Sequence, residues 1–216
     1  MKDILMNMYK RLFSFFGPQD WWPADTPFEV MIGAVLTQNT NWKNVERAIE
    51  NLKKDGLLSV NNLYRLSKEE LAFRIRPAGY YKIKAQRLKN LISYIMEKYE
   101  GDLNAFFSLN IYKLREELLS IKGIGPETAD SIILYAAKKP IFVVDAYTFR
   151  ILKRHDFVWD GIGYDELQAL FMDNLPHDEV LFNEFHALIV ETGKKFCRKR
   201  PLCIDCPLKN WPHDSE

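Results

Sequence analysis

The sequence contains no run of about 18 consecutive apolar residues, so it predicts no membrane-spanning helix. Its N-terminal stretch MKDILMNMYKRLFSFFG is broken by Asp3, Lys10 and Arg11 and lacks the continuous apolar core of a signal peptide. An excess of one charge is missing too. Lys and Arg number 30 against 29 Asp and Glu, so net charge points to no polyanionic partner and only local clusters can. Cysteine is scarce: three residues, at 197, 203 and 206, which in an intracellular protein read as metal ligands or free thiols rather than disulfides. Internal repeats and low-complexity tracts are absent. These absences together predict a soluble, cytoplasmic, monomeric protein without a membrane partner.

What is present is helical periodicity, in a chain of 216 residues that is 47% hydrophobic and 27% charged, a composition for one compact body or two small lobes rather than disorder. Thr26-Pro27-Phe28-Glu29 reads as a capping box with proline at the first helical position, opening a segment apolar on nearly every side that should be buried. Val45, Ile49 and Leu52 mark the next stripe, Ser67 to Glu70 a second capping box, and Leu88, Leu91, Ile92 and Ile95 a further stripe. Ile111, Leu114, Leu118 and Ile121 recur at helical spacing and stop at Gly123-Ile124-Gly125. Pro126 then opens a helix carrying Ala129, Ile132, Ile133 and Ala136. The strand-like IFVVD before Ala146 is too short and isolated to make a sheet, so the predicted fold is all-α. Two basic clusters, Lys82, Lys84, Arg87 and Lys89, and Lys194, Lys195, Arg198, Lys199 and Arg200, fit either a solvated face or a nucleic-acid contact.

Glycines 123 and 125 suit a tight hairpin between two helices, because glycine reaches positive φ without strain and lets another backbone approach. The amides opening the following helix then point outward with the positive end of the helix dipole behind them, which favours a phosphate oxygen. Such a turn is also a common plain connection. Twenty residues beyond Gly125, Val143-Val144-Asp145 precedes a helical stripe, so Asp145 reads either as that helix's cap or as a functional carboxylate.

The pattern L-x-x-I-x-G-I-G-x-x-T-A-D followed by V-V-D resembles the helix-hairpin-helix DNA glycosylases of the endonuclease III superfamily, from about residue 20 to residue 212. The resemblance implies two helical lobes, about 25–135 holding the hairpin at 121–127, and 1–24 with about 136–216, with a groove for DNA between them. It implies that Asp145 is catalytic and that Lys122, Gly123, Ile124 and Gly125 grip a phosphate, with a monovalent cation on the hairpin carbonyls. Gln38, in Leu36-Thr37-Gln38-Asn39-Thr40, takes the role of filling the gap left by a flipped base. Tyr80, in Gly79-Tyr80-Tyr81, takes that of a second wedge. The alternatives are a turn glutamine and a core aromatic. Double-stranded DNA carrying a damaged base is the implied partner, and the nucleoid the implied place of work.

In the bifunctional members a lysine stands where this chain has Glu127, attacks C1′ and forms a Schiff base. Glutamate has no amine, so the resemblance implies a monofunctional enzyme without lyase activity; Glu127 reads as a pocket carboxylate or as an acid favouring a helix start. Trp21-Trp22-Pro23 and Trp42 resemble the 3-methyladenine glycosylases of this superfamily, whose pocket stacks a cationic base on aromatic faces; the alternative is a pair of tryptophans anchoring the N-terminal segment.

Glu191-Thr192-Gly193 reads as a helix C-terminus, leading into a loop over 197–213. Cys197, Cys203 and Cys206 are spaced C-x5-C-x2-C, one residue short of the iron–sulfur pattern of related enzymes, with Pro212 at the place of the fourth cysteine and His213 next to it. The set suits a [4Fe–4S] cluster, a Cys3His zinc site or no metal. Beside it, Lys194, Lys195, Arg198, Lys199 and Arg200 lie where the family's loop meets the DNA backbone. The expected activity is excision of alkylated purines, with mismatched or oxidised bases, a bifunctional glycosylase/lyase, or a non-catalytic DNA-binding module as alternatives.

Overall fold

The computed structural model describes residues 1–211, and among these every regular element is helical. In chain order the α-helices are α1 Lys2–Phe16, α2 Pro27–Leu36, α3 Trp42–Lys54, α4 Val60–Arg65, α5 Lys68–Arg74, α6 Tyr81–Tyr99, α7 Leu103–Ser108, α8 Ile111–Ser120, α9 Pro126–Ser131, α10 Ala146–Arg154, α11 Tyr164–Met172 and α12 Glu179–Lys195. No helix among the described residues is long and apolar enough to cross a membrane. The chain divides into two compact units, Trp22–Lys138 and Met1–Trp21 with the chain from Lys139 onward. His213 lies outside the described residues.

In the 22–138 unit, α2 is the central helix, and every residue from Phe28 to Leu36 is buried, as its all-round apolar sequence predicts. Thr26 caps it by accepting from the Glu29 amide at 3.1 Å. Glu29 does not close the predicted box: its carboxylate reaches past Thr26 to the Asp25 amide at 3.2 Å and pairs with Lys53 at 2.8 Å. That cation compensates a buried charge, a stronger demand than the reciprocal cap. The Ser67 box does form, with Glu70 returning to the Ser67 amide at 2.9 Å. Val45, Ile49, Leu52, Leu88, Leu91, Ile92 and Ile95 are all in the core.

The helix-hairpin-helix is α8, the turn over 121–125 and α9. The Ile124 amide donates to the Ile121 carbonyl at 3.0 Å, Gly123 sits at φ +100, and Gly125 caps α9 with Pro126 at its first position. Arg115 of α8 braces the two helices: its Nε and Nη2 donate to the two carboxylate oxygens of the fully buried Asp130 of α9 at 2.8 and 3.3 Å. Beyond Ser131 the helix widens into a π-turn over Ile132–Ala136.

In the other unit, the IFVVD segment runs extended and buried without a strand partner. Its Phe142 amide donates to Met172 Sδ at 3.2 Å and its carbonyl accepts from Gln168 Nε2 at 2.6 Å, so side chains satisfy what a sheet would. Phe142 stacks on Phe171 at 3.9 Å and meets Phe182 and Phe185 edge-on. Gly193 departs from the sequence reading, because α12 continues through it to Lys195. The glycine is there for packing: a Cβ would stand 2.3 Å from Tyr147 Cδ1, so α10 lies against α12 only because position 193 has no side chain.

Arg115→Ala should leave the Asp130 carboxylate buried without its guanidinium. We expect a loss of about 3 to 5 kcal/mol in folding free energy, read from the urea midpoint, and an unchanged midpoint would show that the pair does not brace the hairpin.

Candidate functional site

The hairpin's outward face is formed by backbone. Lys122 is exposed, Ile124 is buried beneath the turn, and Gly123 and Gly125 are half-buried, which leaves the start of α9 open to an anion. Glu127 stands exposed on the first turn of α9. Gln38 docks against this hairpin: its Nε2 donates to the Gly123 carbonyl at 3.2 Å and to Thr128 Oγ1 at 2.9 Å, and its Oε1 accepts from Arg87 Nη1. It is therefore neither a solvated turn residue nor remote from the hairpin backbone.

Tyr80 follows Gly79, and the two occupy φ +68 and +46. Such a conformation is rare for a bulky residue, and it leaves the ring 69% exposed at the N-terminus of α6. The core-aromatic alternative does not hold. Asn39, beside Gln38, has φ +54, so the loops that carry Gln38 and Tyr80 both turn through the left-handed region.

Of the basic cluster on α6, Lys82 is exposed, while Lys84, Arg87 and Lys89 are not a solvated face. Lys84 is buried and donates to the carbonyls of Leu36 at 2.9 Å and Ala78 at 2.7 Å, tying the Gln38 loop to the Tyr80 loop. Burial, with the Arg87 charge adding to it, pushes its ammonium down to about 8. Either protonation state keeps enough N–H donors for both carbonyls. Lys89 donates to the Leu63, Tyr64 and Leu66 carbonyls at 3.2, 2.7 and 2.8 Å, where α4 ends.

The tryptophans separate. Trp22 and Trp42 meet edge to face at 5.1 Å, with Tyr135 of the π-turn 5.2 Å from Trp22, in the 22–138 unit. The Trp22 indole lies against Gly33 of α2, where a Cβ would stand 3.3 Å from its ring. Trp42 donates to Glu46 Oε1 at 2.6 Å. Pro23 is exposed. Trp21 falls in the other unit, where the Lys194 ammonium lies 5.1 Å from its ring centroid.

Asp145 caps α10 and keeps an oxygen for other work. Oδ1 accepts from the Thr148 amide at 2.8 Å and its hydroxyl at 2.9 Å, while Oδ2 stands 3.7 Å from Nε2 of the buried His186 of α12. Burial pushes the carboxyl up, but the His186 ring and the two Thr148 donors outweigh it and hold Asp145 below the usual carboxylate value. It is therefore a charged carboxylate at neutral pH, fixed by a helix terminus. No local pattern marks His186, 41 positions away on another helix.

From the same helix, Arg150 Nε donates to the Cys197 carbonyl at 2.6 Å. Arg154 donates to Cys197 Sγ at 3.1 Å and to the carbonyls of Arg198 and Lys199 at 2.7 and 3.2 Å. Cys197, Cys203 and Cys206 line one cavity of about 20 Å³ with Thr192, Phe196 and Leu208. Among the described residues no group of three His, Cys, Asp or Glu side chains is gathered to hold a metal, so the described donors fall short of the four a [4Fe–4S] cluster takes. Lys194, Lys195, Arg198, Lys199 and Arg200 are all exposed; Lys195 pairs with Glu191 at 2.9 Å and Arg198 donates to the Lys194 carbonyl at 2.8 Å.

Residues 32–177 match the family described as HhH-GPD superfamily base excision DNA repair protein. A Methanocaldococcus jannaschii protein named provisionally as a DNA repair glycosylase is 49% identical over 210 residues, covering 97% of this chain and 96% of that one. Endonuclease III of Thermotoga maritima is 32% identical, covering 85% of this chain and 81% of its own. Among solved structures, a Helicobacter pylori 3-methyladenine DNA glycosylase bound to 1,N6-ethenoadenine superimposes with a TM-score of 0.76 at 32% identity, over 88% of this chain and 97% of that one.

His186→Asn should shift the titration of the Asp145 carboxyl to higher pH, followed by carbon-13 NMR of the labelled carboxylate. In the parent, the folded value lies below the unfolded one. The stability this carboxylate contributes is thus present above about pH 4 and lost as pH falls through the folded value. An unmoved titration in the variant would remove His186 from the site.

Proposed function

The chain belongs to the HhH-GPD superfamily of base excision DNA repair proteins, a family of DNA glycosylases, and on that premise we propose a monofunctional enzyme that hydrolyses the N-glycosidic bond of alkylated, 3-methyladenine-like purines. The observation that carries the monofunctional reading is Glu127 on the first turn of α9, where bifunctional relatives present a lysine. No amine is offered there for a Schiff base.

The lesion must leave the stack before its bond can be reached, and Gln38 and Tyr80 are the residues for holding the duplex open. Lys122, Gly123 and Gly125 bind a phosphate through backbone amides while Ile124, whose own amide closes the turn onto Ile121, seats the hairpin from beneath, and Lys194, Lys195, Arg198, Lys199 and Arg200 add contacts to the DNA backbone that weaken with salt. As the glycosidic bond breaks, its electron pair goes to the base and positive charge develops at C1′. The Asp145 carboxylate stabilises that charge and accepts a proton from the attacking water, whose oxygen forms the new bond to C1′. Its depressed titration supports this role, since the carboxylate is charged at working pH.

For substrate class, the half-buried Trp22 and Trp42 supply electron-rich faces for a purine carrying positive charge, with about 0.5 to 2 kcal/mol per contact, and the buried Tyr135 backs Trp22. Trp21, Pro23 and Glu127 are the further members proposed for the pocket. The likeness to the 3-methyladenine enzyme supports the same class. The second reading is a bifunctional enzyme, favoured by the relative named endonuclease III. A monovalent cation on the hairpin carbonyls is compatible with the amide contacts. The cysteine spacing supports a [4Fe–4S] cluster on Cys197, Cys203 and Cys206 with His213 as fourth donor, and no chemical step runs through it.

Incubation with duplexes carrying 3-methyladenine should release free base and leave the strand intact until alkali is added, and borohydride should trap no covalent adduct. A trapped adduct would establish the bifunctional reading instead. Asp145→Asn should abolish base release while DNA affinity survives; a parent that binds DNA but releases no base, with affinity unchanged in the variant, would reduce the chain to a binding module.

Metal analysis of anaerobically purified protein should give about four irons per chain. One zinc would assign a Cys3His site, and neither metal would leave three thiols.

A further inference from the structure

Lys84, Arg87 and Asn90 follow one another at three-residue spacing on α6 and so share a face of the helix. Each contacts a different loop of the DNA-gripping surface. Lys84 holds the carbonyls of Leu36 and Ala78, two residues before Gln38 and two before Tyr80. Asn90 Nδ2 donates to the Lys122 carbonyl at 2.8 Å, at the start of the hairpin turn. Arg87 stands between them. Its guanidinium donates to Gln38 Oε1, while its aliphatic stem lies so close to the hairpin that a Cβ on Gly123 would stand 2.4 Å from Arg87 Cγ.

The amide of Gln38 is thereby oriented without ambiguity. Its oxygen faces a group that only donates, and its nitrogen faces the Gly123 carbonyl and Thr128. A free glutamine side chain samples many rotamers, and that freedom would have to be surrendered on meeting DNA; here it is surrendered when the protein folds. The Gly123 contact also means that the glutamine and the phosphate-binding turn are moored to each other and to one arginine. Lysine would not reproduce this, because an ammonium on a flexible stem lacks the planar, preorganised fork that aims a guanidinium N–H at Gln38 Oε1.

We propose that Arg87 is a positioning residue for lesion recognition: it fixes the Gln38 amide on the hairpin, so that the gap-filling side chain and the phosphate grip meet the duplex in a set register. This rests on the base-excision reading, and it assigns to α6 a task distinct from the loops themselves. Arg87 acts through Gln38, not on the DNA backbone.

The test is a double-mutant cycle on binding, which needs no knowledge of the excised base. Affinities of the parent, Arg87→Ala, Gln38→Ala and the double variant are measured by fluorescence anisotropy for a duplex containing a tetrahydrofuran abasic-site analogue and for the same duplex undamaged. Arg87→Ala should lower the preference for the abasic duplex by about tenfold, and should lower it no further once Gln38 is alanine. Arg87→Lys should lose most of the same preference, and melting temperatures of all variants identify any global loss of fold. The salt dependence of binding to undamaged DNA should keep its slope, whereas a direct phosphate contact would reduce it by about one. Additive losses, a flattened salt slope, or tighter abasic binding by Arg87→Ala would each overturn the proposal. If the parent itself shows no preference for the abasic duplex, the base-excision reading fails first and takes this inference with it.

Discussion

Asp130 is a carboxylate with no exposure to water, and the geometry of the helix-hairpin-helix depends on its being compensated. An isolated charge at such a site costs several kcal/mol, so α8 and α9 can pack only where Arg115 meets both oxygens. That fixes the distance between the two helices and leaves five residues to cross it. A turn so short needs glycine at φ +100, and it presents the opening amides of α9 outward. The loop that carries Gln38 and the start of the π-turn beneath Trp22 are then built on α9 and on the turn.

In the other unit a single helix holds the carboxylate proposed as catalytic. α10 begins at Asp145, whose cap holds one oxygen and frees the other, and ends in Arg150 and Arg154, which hold the backbone of the cysteine loop. The carboxylate and the basic loop are thus two ends of a nine-residue rod. Its lateral position is set by Gly193, against which Tyr147 lies. A cap is usually a device of stability alone; here the Thr148 bonds join His186 in holding the acid charged.

Much of this was legible in the sequence because it is written in neighbours. The Ser67 box, the apolar stripes, the Pro126 helix start and the Asp145 cap each depend on residues within four positions of one another. What escaped depends on partners far along the chain. Gly193 reads as a stop signal until Tyr147 is seen beside it, 46 positions away. Lys84 and Arg87 of α6 read as part of a surface patch, and only their bonds to Leu36 and Gln38, 48 and 49 residues away, show them to be structural donors. His186 carried no signal at all. Glu29 was misread for a related reason: a local cap motif was outcompeted by a cation 24 positions on.

Tyr80 is held at φ +46 with its ring in water, a conformation that costs a non-glycine residue about 1 to 2 kcal/mol. Glycine or asparagine would occupy the same backbone more easily. Heat resistance and the wedge role proposed for Tyr80 therefore pull in opposite directions at this position. A population of this enzyme evolved for thermal survival alone should discard the tyrosine early, and its retention under such pressure would measure how strongly repair itself selects for an exposed ring at that point.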